Sequence, residues 1–397
     1  MNDQPTPFLP LARPDIGADE EDEVLGVLRG GRLALGPKTA EFERLFAAYV
    51  AAPWACAVSS GTAGLHLAVR SLSIGPDDCV VTPSFSFISA ANALRYEGAE
   101  PVFLDIERDS LCLSPDAVRV YLDSCKESEG GLFDPVTGRR VAGVVSVDAF
   151  GHPANLGALL EIASPFGIPI VSDSCEALGS RRLQGDSWVY AGTGAVAAVY
   201  GFYPNKQITT GEGGMVTGSD PDIEERVRSL RNQGRRAGDP WLHHTRMGFN
   251  YRLDELSAAL GVAQMKRVEE ILLRRAGVVS SYEERLRDVE GIATPEASAW
   301  ADPAWFVEFL RVDEGIDRDR LVQFLNANGI ESKAYFDPPV HRQPPYADRP
   351  DLVPEPLPVT EEAAARILII PLYSRLSTDE VDRVCDALRR GLAEVAA

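Results

Sequence analysis

Residues 200–214, YGFYPNKQITTGEGG, decide how the rest of the chain is read. The lead-in at 194–203 (GAVAAVYGFY) is apolar, partly β-branched and bounded by glycine, which predicts a buried strand. Lys206 follows that strand beside Pro204, on a segment too short and too broken for a helix. Desolvation disfavours an ammonium, and a lysine that gives up its proton readily can attack a carbonyl to form an imine. Gly211, Gly213 and Gly214 then let the backbone approach a ligand closely. An arbitrary loop lysine is a solvated surface residue, so the neighbours must decide the matter.

Outward from this stretch, strands and helices alternate. Strand patterns at 55–58, 79–82, 101–105, 143–148 and 168–172 are separated by helical patterns at 59–72, 86–97 and 156–166. Residues 1–15 read as extended, followed by helices at 19–29 and 38–50; the second carries Phe42, Leu45, Phe46 and Tyr49 on one face. Residues 123–140 are polar and turn-rich, a surface excursion or small hairpin. A long helical pattern runs almost unbroken from 253 to 286. Beyond it, 305–312 and 366–372 read as strands, 317–328 and 378–396 as helices. The expectation is an α/β chain: a large domain at 1–255 with a mostly parallel mixed sheet covered on both faces, then a bridging helix and smaller α/β domain at 256–397.

The bulk composition narrows the function. A length of 397 residues suits two domains, and 45% hydrophobic with 25% charged residues is ordinary for a globular protein. Lys plus Arg number 39 against 59 Asp plus Glu, a formal charge of −20, which disfavours nucleic acid and anionic membranes as partners. An anionic substrate then needs a local basic pocket. The six cysteines are scattered without CxxC or zinc-like spacing, so no metal site is expected and the thiols read as buried and free. No basic-then-apolar leader and no apolar run of about 18 residues occurs, so a cytoplasmic protein is expected.

Four further segments carry chemistry. Ser59-Ser60-Gly61-Thr62-Ala63 follows a strand and opens a helix, a place where free N–H groups and the helix dipole hold a phosphate, or where a serine merely caps. Asp173, at the carboxyl end of a strand in IVSDSCEALGS, can hold a heteroaromatic nitrogen protonated, or cap a helix; Glu176 lies three residues on. Phe87, just past a strand, can stack on a flat ring or pack in the core. Asn250, Tyr251 and Arg252 form a polar cluster at the mouth of the long helix, with Asp254 as its cap. The GxGxxA match at 192–197 leads into a strand instead of opening a helix, so it is not a dinucleotide fingerprint. A phosphate cup, an aromatic, a strand-end aspartate and a lysine, in that order, match the four handles of pyridoxal 5′-phosphate (PLP).

The ordered motifs SSGTAGLHLAV, TPSFSFISAANAL, GAEPVFLDI, DSCEALGS, FYPNKQITTGEGGM and GFNYRLDELSAALG, with the FGHP segment at 150–153, resemble the DegT/StrS-type sugar-nucleotide aminotransferases. That resemblance runs from about residue 10 to the C-terminus and implies the aspartate-aminotransferase-like PLP fold (fold type I). It implies that Lys206 bonds the cofactor aldehyde, Asp173 partners the pyridine nitrogen and Phe87 stacks on the ring. Gly61, Thr62 and Ala63 would hold the phosphate, and Asn250 would reach it from the second subunit of a homodimer with shared active sites. Gly201 stands where many members have a phosphate-binding serine, and Glu176 where many have Gln or His. Both departures are similar to the branch around perosamine synthases. The implied reaction moves an amino group from L-glutamate to a keto-sugar nucleotide, with carbon 4 of a 4-keto-6-deoxyhexose favoured. Tyr251, Arg252 and His341 are candidates for substrate contact, and His341 also reads as a plain loop histidine. A cyclitol ketone, a 3-keto sugar nucleotide and a PLP-binding sensor without turnover are the alternatives.

Overall fold

The computed structural model describes residues 8–395. The expectations for residues 1–7 and for residue 396 lie outside the described residues. The chain enters through helices α1 (Ala18–Gly30) and α2 (Pro37–Tyr49), then strand β1 (Trp54–Val58) and helix α3 (Gly61–Ser71). Strand β2 (Asp78–Pro83), helix α4 (Ser89–Tyr96), strand β3 (Glu100–Leu104) and helix α5 (Pro115–Ser124) follow. A hairpin of β4 (Lys126–Ser128) and β5 (Gly131–Phe133) leads into β6 (Arg140–Val147), helix α6 (Leu156–Ala163) and β7 (Ile170–Asp173). Next come β8 (Arg181–Gln184), β9 (Ser187–Tyr190), β10 (Ala197–Gly201), β11 (Gly214–Gly218) and α7 (Pro221–Arg231). The last part holds α8 (Glu255–Lys266), α9 (Val268–Leu286), β12 (Ile292–Ala293), β13 (Ala301–Asp302) and β14 (Glu308–Val312). It ends with α10 (Arg318–Ala327), β15 (Lys333–Ala334), α11 (Pro358–Arg366), β16 (Ile367–Ile370) and α12 (Thr378–Val395).

The main sheet has the order β1-β11-β10-β7-β6-β2-β3, with the β4–β5 hairpin attached to β6. The pairs β10–β7, β7–β6, β6–β2 and β2–β3 are parallel, while β11 runs antiparallel between β1 and β10. The carboxyl ends of β1, β10, β7, β6 and β2 therefore share one edge, and the next residues of each segment gather there. Even the edge strand β1, like the inner strand β2, is buried at every position, as a sheet covered on both faces requires. Helices α3, α4 and α7 pack with Val58, Val199 and Val216; α5 and α6 pack with Val81, Val102 and Val144. Phe42 and Phe46 of α2 meet Tyr200 and Phe202 against α8. A second sheet, β12-β14-β16-β15, shares its core with α9, α10 and α12.

Several expectations need correction. The helix read across 253–286 is two helices, broken at Arg267 (φ −119°, ψ 9°). The break serves two docking surfaces: α8 lies in the core of α2, whereas α9 sends Val278, Val279, Tyr282 and Leu286 into the second core. Arg267 pins the elbow through Glu20 and Asp15. The helix expected from residue 86 starts at Ser89, which leaves Phe87 on a loop. Helices α5 and α7 were not anticipated, although Ser114-Pro115 and Asp220-Pro221 are cap-then-proline starts. The small sheet β13-β8-β9 was also missed, because its short strands meet only in three dimensions. Gly192 and Gly194 sit at positive φ (81° and 96°) in the turn that feeds β10, consistent with rejecting the dinucleotide reading.

Candidate active site

At the shared carboxyl edge lies a cavity of roughly 460 Å³. Each strand sends its next residues there: Ser60, Gly61 and Thr62 after β1, Phe87 and Ser89 after β2, and Val147 at the end of β6. Strand β7 contributes Asp173, Cys175 and Glu176; β10 contributes Gly201, Phe202, Tyr203, Asn205 and Lys206; Glu212 and Gly213 precede β11. Tyr335 and Phe336 close it from the far end of the chain. This is where open α/β sheets bind ligands, since the strand ends leave a crevice there.

Lys206 is fixed by a turn, its N–H donating to Tyr203 O. Its side chain is 14% exposed, with Nζ 3.2 Å from Glu176 Oε1 and 3.9 Å above the Phe306 ring centroid. The Glu176 carboxylate and the Phe306 ring face together hold the amine in place. Glu176 is held in turn: Oε2 accepts the Phe150 N–H at 2.9 Å, and its carbonyl accepts from the Gln207 amide. Asp173 is buried and accepts the Cys175 N–H at 3.2 Å, with no ion pair among the described residues. Burial holds its carboxyl above the usual carboxylate range; nearby Glu176 adds to the shift and Lys206 opposes it.

The glycines explain how the backbone closes around this space. A Cβ on Gly214 would lie 2.6 Å from the Ser60 carbonyl, and one on Gly61 2.8 Å from Cys175 Sγ. Only glycine lets β11 start against the first turn of α3. Cys175 Cβ lies 3.3 Å from where a Gly201 Cβ would stand, so a larger residue at 201 would press on it. Ser60 caps α3 by accepting the Ala63 N–H at 3.1 Å.

Of the residues singled out in the sequence, the cavity brings together Gly61, Thr62, Phe87, Asp173, Glu176, Gly201 and Lys206. Ala63 is set apart, buried in α3 with its N–H spent on the Ser60 hydroxyl. Asn250 is exposed and bridges to Asn232 outside this chain's own cavity. Tyr251 stacks on Phe249 at 5.0 Å and meets His66 Nδ1 through its hydroxyl at 3.1 Å. Arg252 donates to Asn232 Oδ1 at 3.1 Å. His341 lies against Ser84 Oγ (2.7 Å) and lines a separate cavity of roughly 330 Å³. Burial pushes its imidazole below the usual range, against the pull of Glu361. Sequence reasoning missed Phe306, and also Tyr335 and Phe336, whose only local signal is an aromatic pair before Asp337-Pro338. It also missed Asp148, one residue past β6.

Residues 14–389 match the DegT/DnrJ/EryC1/StrS aminotransferase family. The chain belongs to that family. It is 34% identical over 388 residues to the erythromycin biosynthesis sensory transduction protein EryC1 of Saccharopolyspora erythraea, covering 97% of this chain and 99% of that one. Among solved structures it resembles S. venezuelae DesV in complex with a ketimine intermediate, at 32% identity and TM-score 0.85 over 97% of this chain and 98% of that one. It also resembles DesI, solved in the presence of its TDP-sugar product, at 28% identity and TM-score 0.86 over 98% and 94%. The aminotransferase is PLP-dependent and has the aspartate-aminotransferase-like fold. Its cavity fits the cofactor: a buried carboxylate with no ion pair among the described residues, a glycine-lined helix N-terminus and a lysine line one space. No helix among the described residues is long and apolar enough to cross a membrane.

Proposed function

We propose that this aminotransferase moves the amino group of L-glutamate to the ketone of a nucleotide-linked 4-keto-6-deoxyhexose. The observation that carries the reading is the convergence of Lys206, Glu176 and Asp173 on one cavity at the sheet edge. The similarity to DesI, solved with a sugar-nucleotide product, supports the substrate class. When bound, PLP supplies a ring that withdraws electrons from the carbon losing its proton.

The protein's own residues do the rest. Gly61 and Thr62 present the start of α3 to the phosphate, where orphan N–H groups and the helix dipole favour an anion. Phe87, 64% exposed on its loop, covers the ring face. Asp173 keeps the ring nitrogen protonated by placing a buried negative charge beside it. Lys206 is the nucleophile toward the cofactor aldehyde, and its Nζ takes and returns the proton at the substrate carbon. Glu176 orients that amine at 3.2 Å.

Among the described lining residues Lys206 is the only Lys or Arg, against Asp173, Glu176 and Glu212. A dicarboxylate donor and a diphosphate therefore need cations from outside this lining. A second copy of the chain bringing its 250–252 segment to the site would set the exposed Asn250 on the phosphate and supply a cation, Arg252, toward the substrate. Residues 256–397 comprise the bridging helical segment and the smaller domain that carries Tyr335 and Phe336 to the mouth.

The test is to load the protein with pyridoxamine phosphate and mix it with keto-sugar nucleotides and with inososes, following the cofactor absorbance. Conversion by 4-keto-6-deoxyhexose nucleotides is expected. Conversion by inososes or 3-keto sugars alone would move the acceptor, and no conversion by any ketone would favour a sensor.

A further inference from the structure

The ends of β6 and β7 are laced together by two buried carboxyl groups. Asp148, the residue after β6, is 2% exposed. Its Oδ1 accepts the Ala154 N–H at 2.8 Å; its Oδ2 accepts the Ser174 hydroxyl at 2.6 Å and, at 3.4 Å, that of Ser172. Its own N–H donates to the Asp173 carbonyl at 3.0 Å. Glu176 reaches back in the other direction, accepting the Phe150 N–H at 2.9 Å. Phe150 has φ +56°, a region side-chain-bearing residues avoid, so its turn depends on being held. The turn that carries Asp173 and Glu176 is thus gripped from both strands.

Asp148 has no ion pair among the described residues. The charged and titratable groups around it are Asp173 on β7, Arg182 on β8, Tyr200 on β10 and Cys112 in the loop before α5. Burial pushes the Asp148 carboxyl up to about 6, while the Ala154 N–H and the serine hydroxyls pull it down. It is an acid held where its charge changes near neutral pH, directly behind the group that faces the cofactor nitrogen.

We propose that Asp148 is a positioning residue for Asp173: through the Ser174 hydroxyl it fixes the strand-end turn, and as a second buried negative charge it strengthens the hold of Asp173 on a protonated ring nitrogen. The inference rests on the cofactor assignment and is independent of which ketone is the acceptor. Ionised Asp148 favours the cationic ring, so cofactor affinity gains as the pH rises through the Asp148 midpoint. By linkage, the cofactor favours the ionised carboxylate. Titration of the cofactor phosphate contributes equally in a protein lacking the Asp148 charge, whereas Asp173 is coupled to Asp148 and that coupling is part of the ratio measured below.

The test measures the Kd of the apo-protein for PLP by fluorescence quenching between pH 5 and pH 8, in wild type, Asp148→Asn and Ser174→Ala. Asparagine keeps the shape and an acceptor for Ala154 while removing the charge. The ratio of affinities, wild type over Asp148→Asn, should rise between the ends of this range by on the order of tenfold, the scale of one pK unit of coupling. Ser174→Ala should move that rise to higher pH, because the carboxylate loses a donor. Thermal unfolding of the apo-protein gives a second readout. Burial raises the folded-state pKa, so stability present below the unfolded value is lost as pH rises through about 6. Wild type should therefore lose Tm relative to Asp148→Asn across that interval. A constant affinity ratio at every pH marks a purely structural aspartate and overturns the proposal. Should Asp148→Asn fail to fold, a Ser174→Ala curve that superimposes on wild type overturns it equally.

Discussion

The carboxyl edge of the main sheet and the middle of the second sheet both bury acid side chains, yet only the first opens onto a cavity with convergent groups. Glu308 on β14 is fully buried, and neither of its carboxylate oxygens has a hydrogen-bond partner among the described residues. Burial holds it well above the usual carboxylate range, with Glu283 adding to the shift. Asp173 is also buried and shifted upward, but it faces a cavity lined by a lysine, an exposed aromatic ring and a helix start. Burial and raised proton affinity alone therefore do not mark a site. The difference lies in open space and in neighbours of matching chemistry.

The sharpest way to break this contrast is Lys206→Ala. Loss of the nucleophile should lower the half-reaction with glutamate by on the order of 10³-fold or more, measured by stopped-flow absorbance, with little change in Tm. Gly214→Ala tests the close approach of β11 to α3. Its Cβ meets backbone at 2.6 Å, which cannot rotate away, so a loss of about 1–3 kcal/mol in chemical denaturation and weaker PLP binding should appear together.

Glu308→Leu should leave the half-reaction unchanged and raise stability by about 1–3 kcal/mol, since an unpartnered buried acid is replaced by an apolar side chain. The raised pKa gives the sign for pH: the stability wild type holds at low pH is lost as pH climbs through the folded-state value, and Glu308→Gln should flatten that decline in Tm. The smallest effect is expected for Phe87→Ala. An exposed ring contributes little to folding, so the change should appear as PLP affinity weakened by about tenfold or less, the scale of one aromatic contact.

Much of the site is legible in the sequence because its chemistry is local. A strand that ends at Asp173, or a few residues before Ser60-Gly61-Thr62 or Lys206, puts that residue at a sheet edge whichever other strands surround it. The alternation of strands and helices likewise determined the α/β class, since parallel strands require crossovers. Register and contact between distant segments are not local. The placement of Tyr335 and Phe336 over the cavity, the break at Arg267 and the small sheet β13-β8-β9 depend on which surfaces meet after folding. The pairing of Lys206 with Glu176 and the grip of Asp148 on Ser174 arise because β6, β7 and β10 lie side by side, with β8 and β9 diverted to another sheet. The sequence by itself determined which groups stand at the strand ends. Only the tertiary structure decided which of them share a cavity, because that depends on strand order and packing, which no local pattern encodes.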